Sequence, residues 1–253
     1  MRWQGLIVAV GIMVASTPFA GAREAVDHSA WDALLQRHVR DGAVDYQGLA
    51  ADRQALDAYL TILRGVDVHQ LPNRDDQLVF WINAYNASVI KGVLDHYPLR
   101  SVKDIDGFFE AIRYRVAGRD LTLNEIEQEG RALGDWRIHF SVVCASSSCP
   151  TLRSEAYDPE RLDEQLTEQT AQFLQDPERG LRVDGSTLWV SKIFKWYTKD
   201  FVPSAGGLFG RLKPDALVDV LEPYLHASVR DAARTRAKTV KYLDYDWLLN
   251  GIR

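Results

Sequence analysis

The sequence predicts an α+β fold, a helix-rich single domain around a small antiparallel or mixed sheet. Three observations carry that expectation. Several stretches repeat apolar residues at helical spacing, two others alternate around turn residues as hairpins do, and no internal repeat or long Pro/Gly/Ser linker divides the 253 residues. With 46% hydrophobic and 26% charged residues the chain can bury a core, so disorder and low-complexity readings are excluded. A formal charge of −5 gives no basic footprint for nucleic acid.

The N-terminus reads as a targeting segment. Arg2 opens a short n-region, residues 6–16 are uncharged and apolar, and Ala20-Gly21-Ala22 offers a small-x-small cleavage pattern. Residues 1–22 are therefore expected to be a signal peptide and the protein periplasmic or secreted, its domain running over 23–253. No later run approaches the length of a membrane span.

Residues 28–40 read as a helix on the spacing of Trp31, Leu34, Leu35 and Val39, ended by Asp41-Gly42. VDYQGL (44–49) follows as an extended piece, and 51–63 is a second helix with Leu56, Tyr59, Leu60 and Leu63 on one stripe. Residues 75–95 are apolar on most faces, as in a buried helix, and His96-Tyr97-Pro98 stops it. Residues 101–111 read as a short helix or turn, and 114–121 as a small hairpin. Thr122, with Glu125 three residues on, forms a capping box for a helix ending near Gly134. RIHFSVVC (137–144), β-branched and aromatic without a breaker, reads as the clearest strand. Asp158-Pro159 opens a helix to about Leu174, and LRVDGSTLWV (181–190) is a hairpin turning at Asp184-Gly185. A helix over 214–225 and a strand within TVKYLDYDW complete the chain.

The chemistry concentrates at CASSSCP. In an oxidising compartment Cys144 and Cys149, four residues apart, can pair as a disulfide. Alternatively one is a nucleophile. Cys149 precedes Pro150, and a helix starting there would lower its thiol pKa, while Ser146-Ser147-Ser148 offer donors to an oxyanion. A straight strand puts His139 and Cys144 on opposite faces, so a His139 partnership needs a bend at Cys144.

Asn83 and Asn86 share one face of the apolar helix, either to orient a histidine or substrate or to bond a loop. Glu127 follows the capping Glu125 without a histidine at 128, so neither suggests a metal. Asp244 and Asp246 are too few for a cation site, and two cysteines cannot complete a zinc site. No cofactor is expected. GxSxG, P-loop and GxGxxG motifs are absent from the contexts that would give them meaning.

GAVDYQGL, LVFWINAYNASVIKGVLDHYP, LTLNEIE, RIHFSVVCASSSCPTLRSEAY, SKIFKWYTKDF and YLDYDWLLN occur in this order. Together they resemble the family called domain of unknown function 547 over roughly residues 40–250. The resemblance implies a domain found in exported bacterial proteins and, fused to other modules, in plants. It brings no settled activity. Gln128 departs from the histidine often found after the EIE triplet in that family. A distant fold likeness to papain-like and transglutaminase-like proteins would place a cysteine at a helix start and His139 on a strand.

Two functions follow as expectations. One is a binding or accessory domain for a small-molecule or peptide ligand, its disulfide loop beside a cleft lined by Trp81, Trp196 and Tyr197. The other is a thiol-dependent hydrolase or transferase acting on amide or ester bonds, with Cys149 or Cys144 as nucleophile, His139 as base, and Asn83 or Asn86 as orienting group.

Overall fold

The computed structural model describes residues 25–205 and 212–252, so the expected signal segment lies outside the described residues. In chain order the elements are α1 (Ser29–His38), β1 (Val39–Arg40), β2 (Ala43–Val44), α2 (Tyr46–Ala51), α3 (Arg53–Arg64), α4 (Arg74–Leu94), β3 (Tyr114–Val116), β4 (Arg119–Leu121), α5 (Leu123–Arg131), α6 (Leu162–Gln175), β5 (Leu181–Asp184), β6 (Thr187–Val190), α7 (Ile193–Trp196), α8 (Thr198–Phe201), α9 (Pro214–Leu221), α10 (Ala227–Arg236) and β7 (Thr239–Tyr242). The fold is α+β and helix-rich. Its sheets are small: β1 and β2 pair antiparallel, as do β3 and β4, and β7 joins the β5–β6 hairpin in parallel to make a mixed three-stranded sheet.

The axis of the molecule is α4. Asn73 caps it, its side chain accepting the Asp75 and Asp76 N–H groups, and those two carboxylates complement the positive end of the helix dipole. Nearly every side chain from Leu78 to Leu94 is buried, because α3 and α5 pack on its flanks. The approach of α5 needs Gly130: a Cβ there would stand 3.2 Å from Trp81 Cβ and 2.5 Å from Ile138 Cδ1. No helix among the described residues is long and apolar enough to cross a membrane.

Two hydrophobic clusters share the interior. The larger surrounds α4 and runs from Trp31 through Leu78, Ile126 and Ile138 to Leu166. The smaller gathers Phe140, Phe173, Leu188, Phe194, Phe201 and Leu217.

Several expectations change. Residues 136–140 form a 3-10 turn, not a strand. Asp135 caps it by accepting the Arg137 N–H at 3.0 Å, and Ile138, His139 and Phe140 are all buried because the turn lies between the two clusters, Ile138 in one and Phe140 in the other. Burial from two sides, not a ladder, produced the β-like composition. No helix starts at Pro150; the next begins at Leu162, three residues beyond Pro159. Both features offered for the papain-like likeness, a cysteine opening a helix and His139 on a strand, are therefore missing. Of the first extended piece only Val44 is strand, in β2, since Asp45 accepts the Gly48 N–H and starts α2.

Candidate functional site

The site is the loop that leaves the 3-10 turn. Asn86, buried in α4, holds the main chain there: its Nδ2 donates to Ser141 O at 2.9 Å and its Oδ1 accepts the Val143 N–H at 2.8 Å. Asn83, one turn earlier, clamps Tyr157 in the same way at 2.9 and 3.1 Å. Both amides therefore bond loops, and neither orients a histidine.

Beyond Val143 the chain turns sharply. Ala145 is buried with φ of 61°, a left-handed conformation that costs a non-glycine residue about 1 kcal/mol or more. The C-terminal segment holds the turn in place. Asn250 N–H donates to Ala145 O, Ser147 N–H to Leu248 O and Ser148 N–H to Asp246 O, and Ser148 Oγ accepts the Asp246 N–H. The Ser147 and Ser148 amides and hydroxyls are engaged in this strap, so they are not the oxyanion donors that the serine run suggested. Asp246 itself closes a turn by accepting the Leu248 N–H.

In the structure the two cysteines are free and no disulfide joins them, the second of the two alternatives that the sequence left open. Cys149 is buried, and its sulfur accepts the Cys144 N–H at 2.9 Å. Cys144 is partly exposed, with its Sγ 3.1 Å from Ser146 Oγ and 3.2 Å from Tyr245 Oη. Burial pushes the Cys144 thiol up, but hydrogen bonds from Cys149, Ser146 and Tyr245 outweigh it and bring the pKa down from 9.0 to about 7. Burial, then the neighbouring Cys144 sulfur, pushes Cys149 well above its ordinary value. Cys144 is thus the more exposed sulfur and the one whose thiol is lowered, with Cys149 buried behind it. The helix expected to activate Cys149 does not exist.

His139 opens onto the same cavity, yet no hydrogen bond joins it to either sulfur among the described residues. Its Nε2 is 2.8 Å from Asp200 Oδ2, which also accepts Arg131 Nε at 2.8 Å, and its ring stacks on Tyr197 at 4.0 Å between centroids. Burial lowers its pKa to about 4 in spite of Asp200, so the imidazole is neutral near pH 7. On the other side, His139 Nδ1 lies 3.9 Å from Oε1 of Glu127. Burial raises the Glu127 carboxyl above the usual range, opposed by the Tyr197 hydroxyl and Arg131.

Cys144, Cys149, His139 and Glu127 line a cavity of about 350 Å³ with Tyr85, Lys103, Trp196, Tyr197, Tyr245 and Trp247. Trp196 and Tyr197 are part of its wall, as the sequence suggested; Trp81 is not, being buried in the larger cluster. No group of three or more His, Cys, Asp or Glu side chains that could hold a metal occurs among the described residues.

Sequence reasoning singled out Asp200 in SKIFKWYTKDF and weighed Glu127 for a metal but joined neither to the cysteines, and it passed over Tyr245. Glu127 left a legible signal. It falls on the buried stripe of α5 with Leu123, Ile126 and Gly130, where a carboxylate has to have a reason.

A family model described as "Protein of unknown function, DUF547" matches residues 68–174, a stretch holding α4, α5, the 3-10 turn, the cysteine loop and nearly all of α6. The chain resembles that family over this stretch. No curated protein and no solved structure matches the chain.

Proposed function

We propose that the protein is a thiol-dependent hydrolase or transferase acting on amide or ester bonds, with Cys144 as nucleophile. The observation that carries this is the surround of the Cys144 sulfur: a partly exposed thiol at a cavity wall, hydrogen-bonded by Ser146 and Tyr245 and backed by a second thiol. A structural cysteine needs none of this. The sulfur attacks the carbonyl carbon and the bond to nitrogen or oxygen breaks. The leaving group takes up the proton the thiol gave up, and water or another acceptor releases the thioester. Neutral His139, held by Asp200, lines the same cavity but bonds neither sulfur, so the proton leaves a thiol whose own surround already lowers its pKa. The predicted signal peptide supports an exported protein, which a mass measurement of the natural N-terminus tests directly.

The deciding experiment is iodoacetamide alkylation followed by peptide mass mapping, with 4-nitrophenyl acetate as an acyl probe. Cys144 should react with a midpoint near pH 7 and carry the acetyl group after a burst of nitrophenol; Cys149 should stay unmodified until the chain unfolds. Cys149→Ala removes one of the hydrogen bonds and should raise the midpoint by about one unit. A native mass two hydrogens lower, with no alkylation before reduction, would instead favour the binding domain with a disulfide loop.

A further inference from the structure

We infer that the cavity seats a primary ammonium group of its ligand between the Glu127 carboxylate and the His139 imidazole. This deepens the acyl-transfer reading and rests on it, assigning as substrates compounds that carry a free amine, such as amino-acid or peptide derivatives.

The two atoms concerned are Glu127 Oε1 and His139 Nδ1, 3.9 Å apart, on side chains only 9% and 1% exposed. Both residues line the cavity, and neither atom has a hydrogen-bond partner among the described residues. Their chemistry is fixed by what lies behind them. Asp200 Oδ2 faces His139 Nε2 at 2.8 Å and is an acceptor, so the ring proton resides on Nε2 and Nδ1 keeps its lone pair. Two acceptors thus face each other with no donor between them, and buried acceptors need one.

Geometry narrows the donor. A nitrogen roughly 2.8 Å from each atom, the usual length of a charge-assisted bond, would see them at close to a right angle, within reach of two N–H bonds of one tetrahedral centre. A hydroxyl carries one hydrogen and serves one acceptor. A carboxylate has none and is repelled by Glu127. Water has two, but it does not use the rest of the wall. Trp196 and Trp247 line the cavity, and its two carboxylates, Glu110 and Glu127, outnumber its one ammonium, Lys103, which sits 4.5 Å from the Trp247 ring centroid. Such a wall attracts a cation.

The test is isothermal titration of the full-length protein with benzylamine and with benzyl alcohol, its uncharged analogue, at pH 7.5. Benzylamine should bind at least tenfold more tightly. E127Q should weaken benzylamine at least tenfold and leave benzyl alcohol unchanged, and C144A should bind benzylamine as the parent does. Equal binding of amine and alcohol, which means a water site, or no binding of either, overturns the inference; so does an E127Q protein that keeps its preference. The comparison on the parent protein needs no variant to fold. Benzylamine binding beside an unreactive Cys144 would sink the acyl-transfer reading and uphold the ammonium site, so the two failures are separable.

Discussion

At the scale of single residues, a thiol can be set near neutrality without a charged partner. Among the described residues no histidine is hydrogen-bonded to Cys144; the groups that lower its thiol are the neutral Cys149, Ser146 and Tyr245. Their placement depends on Asn86, which spans the main chain from Ser141 to Val143. Asn86→Ala leaves a buried carbonyl and a buried N–H without partners and should cost about 3 kcal/mol in urea unfolding, while shifting the pH at which Cys144 alkylates. The spacing of Asn83 and Asn86 was readable, and so was their need for partners. Which loops they would bond was not, because those partners come from 55 to 74 positions along the chain.

At the scale of elements, the 3-10 turn over 136–140 decides whether a site exists. Asp135 and Arg137 lock it: the guanidinium forks onto the Asp135 carboxylate at 3.0 and 2.8 Å, with both side chains mostly buried, and reaches Asp163 at 2.8 Å. Asp135→Ala removes the cap and strands a buried cation, so it should destabilise by about 3 kcal/mol, and the double variant with Arg137→Met should recover much of that loss in the same urea titration. This is also the element that sequence reasoning misassigned. RIHFSVVC satisfies a strand pattern, but a strand requires a ladder partner and none comes to it among the described residues. By contrast the capping box at Thr122 and Glu125, the β3–β4 hairpin and the length of α4 followed from local rules alone, since the groups that make them are close in sequence.

At the scale of the whole molecule, the cavity lies at the seam of the two clusters, with Cys149 and Val142 contributed by one and Ile193 by the other. The C-terminal segment crosses that seam and brings Tyr245 to the cysteines. Burial leaves a global signature in pH. His139 and His28 are both desolvated to pKa values of about 4. The unfolded chain therefore binds more protons between about pH 4 and 6.5, and the stability held above pH 6.5 is lost as pH falls through that window. Each histidine should withdraw about 2 kcal/mol by pH 5, seen by urea unfolding at pH 7.5 and 5.0, and His139→Gln should remove its share. Glu127 acts in the opposite sense, since its raised pKa lets the folded chain take up a proton first.

The amino-acid order by itself determined the helix-rich α+β class, the capped helices, the hairpins and the suspicion that chemistry gathers around CASSSCP. Those rest on periodicity, caps and residue type, which act over a few positions. Tertiary structure alone decided which cysteine stays partly exposed, that the loop bends instead of continuing a strand, and that Glu127, Asp200 and Tyr245 join it. Burial, hydrogen-bond partners and pKa belong to groups brought together from up to a hundred residues apart, and no local pattern encodes them.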